Sequence, residues 1–96
     1  MLYLSNIKLF PFSRFVVFDR SMEPAFLDSD HVLTFNWIMP QAGDVIVFKS
    51  NTKNVIKRVE KIKYGKIFVK GDNRRFSSKV GPIEPSLIIG KVILKY

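Results

Sequence analysis

Asn54-Val55-Ile56-Lys57-Arg58-Val59-Glu60-Lys61-Ile62-Lys63 is the stretch on which the fold class turns. Side chains alternate between the two faces of a strand. Val55, Lys57 and Val59 therefore point one way, and Ile56, Arg58 and Glu60 the other. A helix would need apolar residues three and four apart, and no useful length of the chain shows that period. Tyr64-Gly65 reads as a hairpin-like turn, after which residues 66–70 run back as a second strand.

The same logic extends upstream. Residues 45–48, Val-Ile-Val-Phe, are apolar throughout, as expected of a central strand covered on both faces. Residues 50–53 form a polar loop after it. Gln41-Ala42-Gly43-Asp44 is a turn before it, and residues 31–37 form a strand that ends near Pro40. Residues 14–18 are rich in β-branched and aromatic side chains, which favour a strand. Ser21-Met22-Glu23-Pro24 follows and can open one short helical turn. Downstream, Gly71-Asp72-Asn73 is a tight turn whose Gly and Asn tolerate positive φ, and residues 87–94 are a last strand. The expected fold is mainly β, a small coiled and partly closed β-barrel. Residues 1–13 are an N-terminal lead segment and residues 14–96 a single domain.

Composition bounds the function. The chain has 96 residues, 47% of them hydrophobic and 14% aromatic, too apolar for a disordered segment. With no Cys there is neither a disulfide framework nor a thiolate zinc site. A single His builds no metal cluster, and no cofactor is expected. The net charge of +8 suits anionic partners: nucleic acid, anionic headgroups or acidic protein. The basic residues are spread through the second half, which reads as solvated strand faces and disfavours a dedicated nucleic-acid patch. A membrane-spanning helix needs about 20 mostly apolar residues. Residues 1–18 are interrupted by Asn6, Lys8, Pro11, Ser13 and Arg14, and they lack the pattern of a cleavable signal.

Two side chains could carry chemistry. Lys57 lies between two valines on one strand face. Such a lysine is either an edge residue that snorkels its amine to water or one partly removed from water. Removal from water disfavours the ammonium and yields a general base. Ser21 follows a strand at a turn that could lift its hydroxyl clear of the sheet, or it could simply cap the turn. Taken singly, neither residue decides between these readings.

Taken together, the blocks resemble the signal peptidase I and mitochondrial inner-membrane peptidase family, whose catalytic core is shared with LexA-type self-cleaving repressors. Ser21-Met22-Glu23-Pro24 is similar to the nucleophile box, and residues 26–33 to the strand after it. Gly43-Asp44-Val45-Ile46-Val47-Phe48 resembles the next box, and Val55-Ile56-Lys57-Arg58-Val59 the box that holds the basic lysine. Gly71-Asp72-Asn73-Arg74, then Ser77, Gly81 and residues 85–90, resemble the closing blocks. The resemblance spans roughly residues 15–91.

It implies a serine endopeptidase with a Ser21/Lys57 dyad. Ser77 would orient the lysine amine, and no histidine would be needed. His31 lies outside the base box and is read as structural, and Trp37, Phe35, Phe10 and Phe12 are read as mainly core, with an apolar rim near the site as the alternative for some of them. The implied substrate is an extended peptide or preprotein, a signal peptide or a propeptide, cut after small residues. Phe18, Met22 and Val55 would line shallow apolar pockets.

Departures accompany the match. The position of an oxyanion-hole serine holds Asp19, the expected Gly of residues 27–30 is absent, and Lys79 stands where an Asp is usual. The accessory β insertion and membrane anchor of the family are missing, which makes this a minimal, anchorless core. Peripheral contact with an anionic membrane is preferred over a free cytoplasmic enzyme. The alternative is a catalytically weak basic β-barrel that binds nucleic acid or acidic protein. A LexA-type regulator is disfavoured, because there is no room for a helix-turn-helix and no evident cleavable Ala-Gly loop.

Overall fold

Six strands follow one another along the chain: β1 (Phe12–Val16), β2 (His31–Phe35), β3 (Val45–Ser50), β4 (Lys53–Lys63), β5 (Lys66–Lys70) and β6 (Ile88–Lys95). The computed structural model describes residues 10–18, 20–76 and 81–96. Within them the only helical pieces are short 3-10 turns, Arg74–Phe76 and Pro85–Leu87. The strands form one sheet in the order β1-β2-β6-β3-β4-β5, every pairing antiparallel.

The apolar β3 is central, as its composition requires, with β6 on one side and β4 on the other. Its alternate residues feed two cores. Val45 and Val47 join Val17, Met22, Val32 and Ile56 on one face. Ile46 and Phe48 join Val59, Ile67, Ile83 and Ile88 on the other, with Val55 packed against them. Register sets which face each β4 residue meets, because Val47 lies opposite Ile56 and Ile46 opposite Lys57. The alternation read from residues 54–63 is thus the division between two cores.

The turns follow their residues. Tyr64 (φ 55°) and Gly65 (φ 71°) both take positive φ, the pattern of a tight hairpin turn matched to strand twist. Gly43 also sits at positive φ, whereas Gly71 and Asn73, expected to use that freedom, do not. Strand ends move by a few residues. β1 starts earlier than expected, because Phe12 pairs with Phe35 and their rings lie 5.4 Å apart. It stops at Val16, since Val17 donates to Asp30 O (2.8 Å) and accepts from Ser29 N (2.6 Å) in the loop that follows. β2 stops at Phe35 because Asn36 turns inward. Its side-chain amide donates to Phe10 O (3.1 Å) and Ser13 Oγ (2.8 Å), while its Oδ1 accepts from Thr34 Oγ1 (2.7 Å).

Two expectations are corrected. Among the described residues the sheet is open, with β1 and β5 as its edges, so the partly closed barrel is not what the strands form. The aromatic residues of the first half, read as mainly core, stay largely outside: Phe10, Phe12 and Trp37 are exposed. Aliphatic side chains from β3, β4 and β6 fill the space instead.

Candidate active site

Ser21 follows β1 in a turn that holds it inward. Phe26 N donates to Met22 O (2.9 Å), Glu23 N to Arg20 O (3.2 Å), and the Arg20 and Glu23 side chains pair at 3.0 Å. Met22 anchors the turn, with its side chain fully buried in the first core. The adjacent Ser21 is drawn in with it and keeps only 1% of its surface.

Lys57 comes from the middle of β4, opposite Ile46, and is 4% exposed. Its Nζ donates a 2.7 Å hydrogen bond to Ser21 Oγ. The two residues are far apart in sequence, and the bond is buried. Among the described residues no buried side-chain N or O lacks a partner, so the lysine is accommodated inside the fold.

The residue after Lys57 ties the two halves of the site together. Arg58 Nε and Nη2 donate to Asp72 Oδ1 and Oδ2, both at 2.8 Å, and Nη1 donates to Gly43 O (2.7 Å). This is the bidentate geometry that a guanidinium fork and a carboxylate share. The hydrogen bond from Arg58 holds the Asp72 carboxyl below its usual range, against the opposing effect of burial, and Arg58 is raised in return. One residue further on, Asn73 N donates to Ser21 O (2.7 Å). The path Lys57–Arg58–Asp72–Asn73–Ser21 is continuous and fixes the strand that carries the amine relative to the turn that carries the hydroxyl.

A cleft of about 670 Å³ adjoins β1 and the first half of β4. Residues 14–18 line one wall, residues 53–56 the other, and Val32 and Val47 contribute apolar surface. Both walls present a strand edge. β1 pairs only with β2, and β5 joins β4 only from Arg58 onward, so the outer edge of residues 53–57 has no partner strand among the described residues.

The structure brings Ser21 and Lys57 together and puts Phe18 and Val55 on the cleft. Met22, expected to line a pocket, is instead a core residue, because the turn uses it as an anchor. His31 is exposed, with its ring 5.5 Å from that of Tyr96. Asp19, Ser77 and Lys79 lie outside the described residues, as do residues 1–9 of the lead segment. Sequence reasoning took Asp72 for a turn former and missed its pairing with Arg58. The available signal was an arginine beside Lys57, on the strand face away from it, with an unassigned carboxylate in a later block.

Residues 14–93 match the Peptidase S24-like family. The chain belongs to this family of the LexA and signal-peptidase clan of Ser/Lys peptidases. No curated protein matches it. Membership points to serine peptidase activity and hence to a peptide substrate.

Proposed function

We propose that this protein is a serine endopeptidase in which Ser21 is the nucleophile and Lys57 the general base. The observation that carries the reading is the buried 2.7 Å contact between Lys57 Nζ and Ser21 Oγ. Burial disfavours an ammonium ion. As a free amine, Nζ would accept the hydroxyl proton along the path over which it donates as drawn. Oγ then attacks the scissile carbonyl carbon, and backbone N–H groups, beginning with that of Ser21, stabilise the oxyanion. Collapse breaks the C–N bond, and the proton on Nζ passes to the departing amine. Water, deprotonated by the same amine, cleaves the acyl-enzyme ester and restores Ser21. Ser77 as the group that orients the amine, and Asp19 as a residue turned away from the oxyanion, complete the proposal.

The open sheet suggests how substrate is held. An extended peptide laid between the outer edge of β1 and the outer edge of residues 53–57 would meet main-chain donors and acceptors on both sides. It would bridge the two edges and bring the sheet closer to the barrel expected from sequence. Phe18 and Val55 would face the side chains beside the cut, where small residues fit best. Signal peptides and propeptides both offer such segments. Peripheral attachment to an anionic membrane is compatible with the exposed lysines and with Tyr64, 89% exposed at the β4–β5 turn.

Incubation with a peptide library tests this reading. Cleavage after small residues that disappears in Ser21→Ala is the expected result. Cleavage unaffected by Ser21→Ala, or equal cleavage after bulky and charged residues, contradicts it.

A further inference from the structure

Among the side chains that line the cleft only Arg14 and Lys53 are charged. Arg14 and Lys53 both line it, both are exposed, and no Asp or Glu is among its lining residues. Among the described residues neither makes an ion pair, whereas Lys66, Lys91 and Lys95 each sit within salt-bridge distance of a carboxylate. An apolar groove with two uncompensated cations on opposite walls is complementary to a peptide that carries a negative charge at that level.

Strand geometry places the charge along the peptide. Lys53 precedes Lys57 by four residues on β4, about 13 Å at a strand's rise. Arg14 lies on the opposite wall, well before Ser21 in the chain. An extended substrate advances at nearly the same rise per residue. The substrate residue beside Lys53 is therefore about four or five positions from the carbonyl at Ser21, and Arg14 faces the same cleft from the other wall.

We infer that Arg14 and Lys53 form an acid-selecting subsite, so that the preferred substrate carries Asp or Glu four or five residues before the cut. The inference rests on the peptidase reading above and takes the cleft to hold the acyl side of the substrate. A small residue at the cut sets where cleavage happens, and the distant acid selects which chain is held.

The test uses one parent peptide with a small residue at the cut. Asp, Asn or Lys is placed in turn at the third to the seventh position before it. Hydrolysis by the wild type is measured alongside binding of the same fluorescently labelled peptides to Ser21→Ala. The expected result is tighter binding and higher kcat/KM for Asp than for Lys at the fourth or fifth position, by about threefold to tenfold at low salt. The difference should shrink as ionic strength rises. In the double variant Arg14→Glu, Lys53→Glu, the preference should invert toward Lys. Both residues are exposed, and the peptide series in the wild type needs no variant at all. Binding indifferent to charge at every position overturns the inference, whether or not the peptides are cut. A charge preference in binding, with no peptide hydrolysed by the wild type, upholds the subsite and overturns the peptidase reading. A preference at the same positions that survives the double variant assigns the selectivity elsewhere and also overturns the inference.

Discussion

The two halves of β4 carry the same kinds of residue and meet opposite fates. In the first half, Lys57 is 4% exposed and bonded to a serine hydroxyl. In the second half, Lys61 and Lys63 are exposed and lie over the rings of Phe68 and Tyr64, at 5.0 and 5.3 Å from their centroids. Residue type does not distinguish them. Up to Arg58 the strand lies against β3, which is itself flanked by β6, and the turn that bears Ser21 reaches it from outside the sheet. Beyond Val59, which still bonds to Gly43 and Asp44, β5 is the only strand that accompanies it among the described residues. A bulge between Val59 and Lys61 marks the change. What sets Lys57 apart is the set of elements that cover it, and those elements come from distant parts of the chain.

The sharpest way to break this contrast is to remove each amine in turn. Lys57→Met keeps most of the volume and the apolar packing but removes the amine proposed as the base, and peptide hydrolysis should fall by about 10³-fold or more. Lys61→Met, on the same strand, should leave kcat/KM unchanged. Equal effects at the two positions would erase the distinction.

A smaller effect is expected where the covered half is built most tightly. A Cβ on Gly90, which lies opposite Val47, would collide with Asn36 Oδ1 and come within 3.0 Å of Phe35 O and Thr34 Cβ. Asn36 is held by Thr34, Ser13 and Phe10, so it cannot simply yield. Gly90→Ala should therefore destabilise the fold by about 1–3 kcal/mol in urea denaturation. A neutral result would show that this junction is loose.

The brace between β4 and the turn that bears Ser21 comes next. Asp72→Asn removes a charge-assisted bidentate pair and should cost about 1–2 kcal/mol at neutral pH. The Asp72 carboxyl is held below its ordinary value, chiefly by the hydrogen bond from Arg58. Its contribution is thus complete above the unfolded carboxylate pKa of about 3.9 and is lost as pH falls through the lower folded value. Wild type and Asp72→Asn should accordingly converge in stability toward strongly acidic pH. A gap that persists there would mean that the pair acts through packing rather than charge. The smallest effect is on the open half, where Lys61→Met should shift stability by no more than about 0.5 kcal/mol.

Much of this was legible in residues 54–63. Their alternation gave the strand and the face shared by Val55, Lys57 and Val59, and packing turns the two faces into two cores. Ser21 and Lys57 were legible as a pair only through the order of the surrounding blocks, since no local pattern brings residues so far apart together. Other features depended on long-range packing. Met22 looked like a pocket residue until the turn was seen to need an apolar anchor. Phe10, Phe12 and Trp37 looked like core, but aliphatic residues from three strands had already filled it. Closure of the sheet could not be read either, because it depends on whether β1 and β5 meet, and no residue in either strand encodes that pairing. Arg58 and Asp72 were each visible, and only the fold shows that they face one another.

The central claim is that Ser21 Oγ, deprotonated by Lys57, becomes covalently bonded to substrate. Intact-mass spectrometry during turnover of an activated peptide ester, followed by mapping of the modified site, tests it most directly. The account predicts an acyl adduct on Ser21 in the wild type, none on that residue in Ser21→Ala, and strongly slowed formation in Lys57→Met. Peptide or ester hydrolysis with no adduct on Ser21, or an adduct that forms equally fast without the lysine amine, would contradict it.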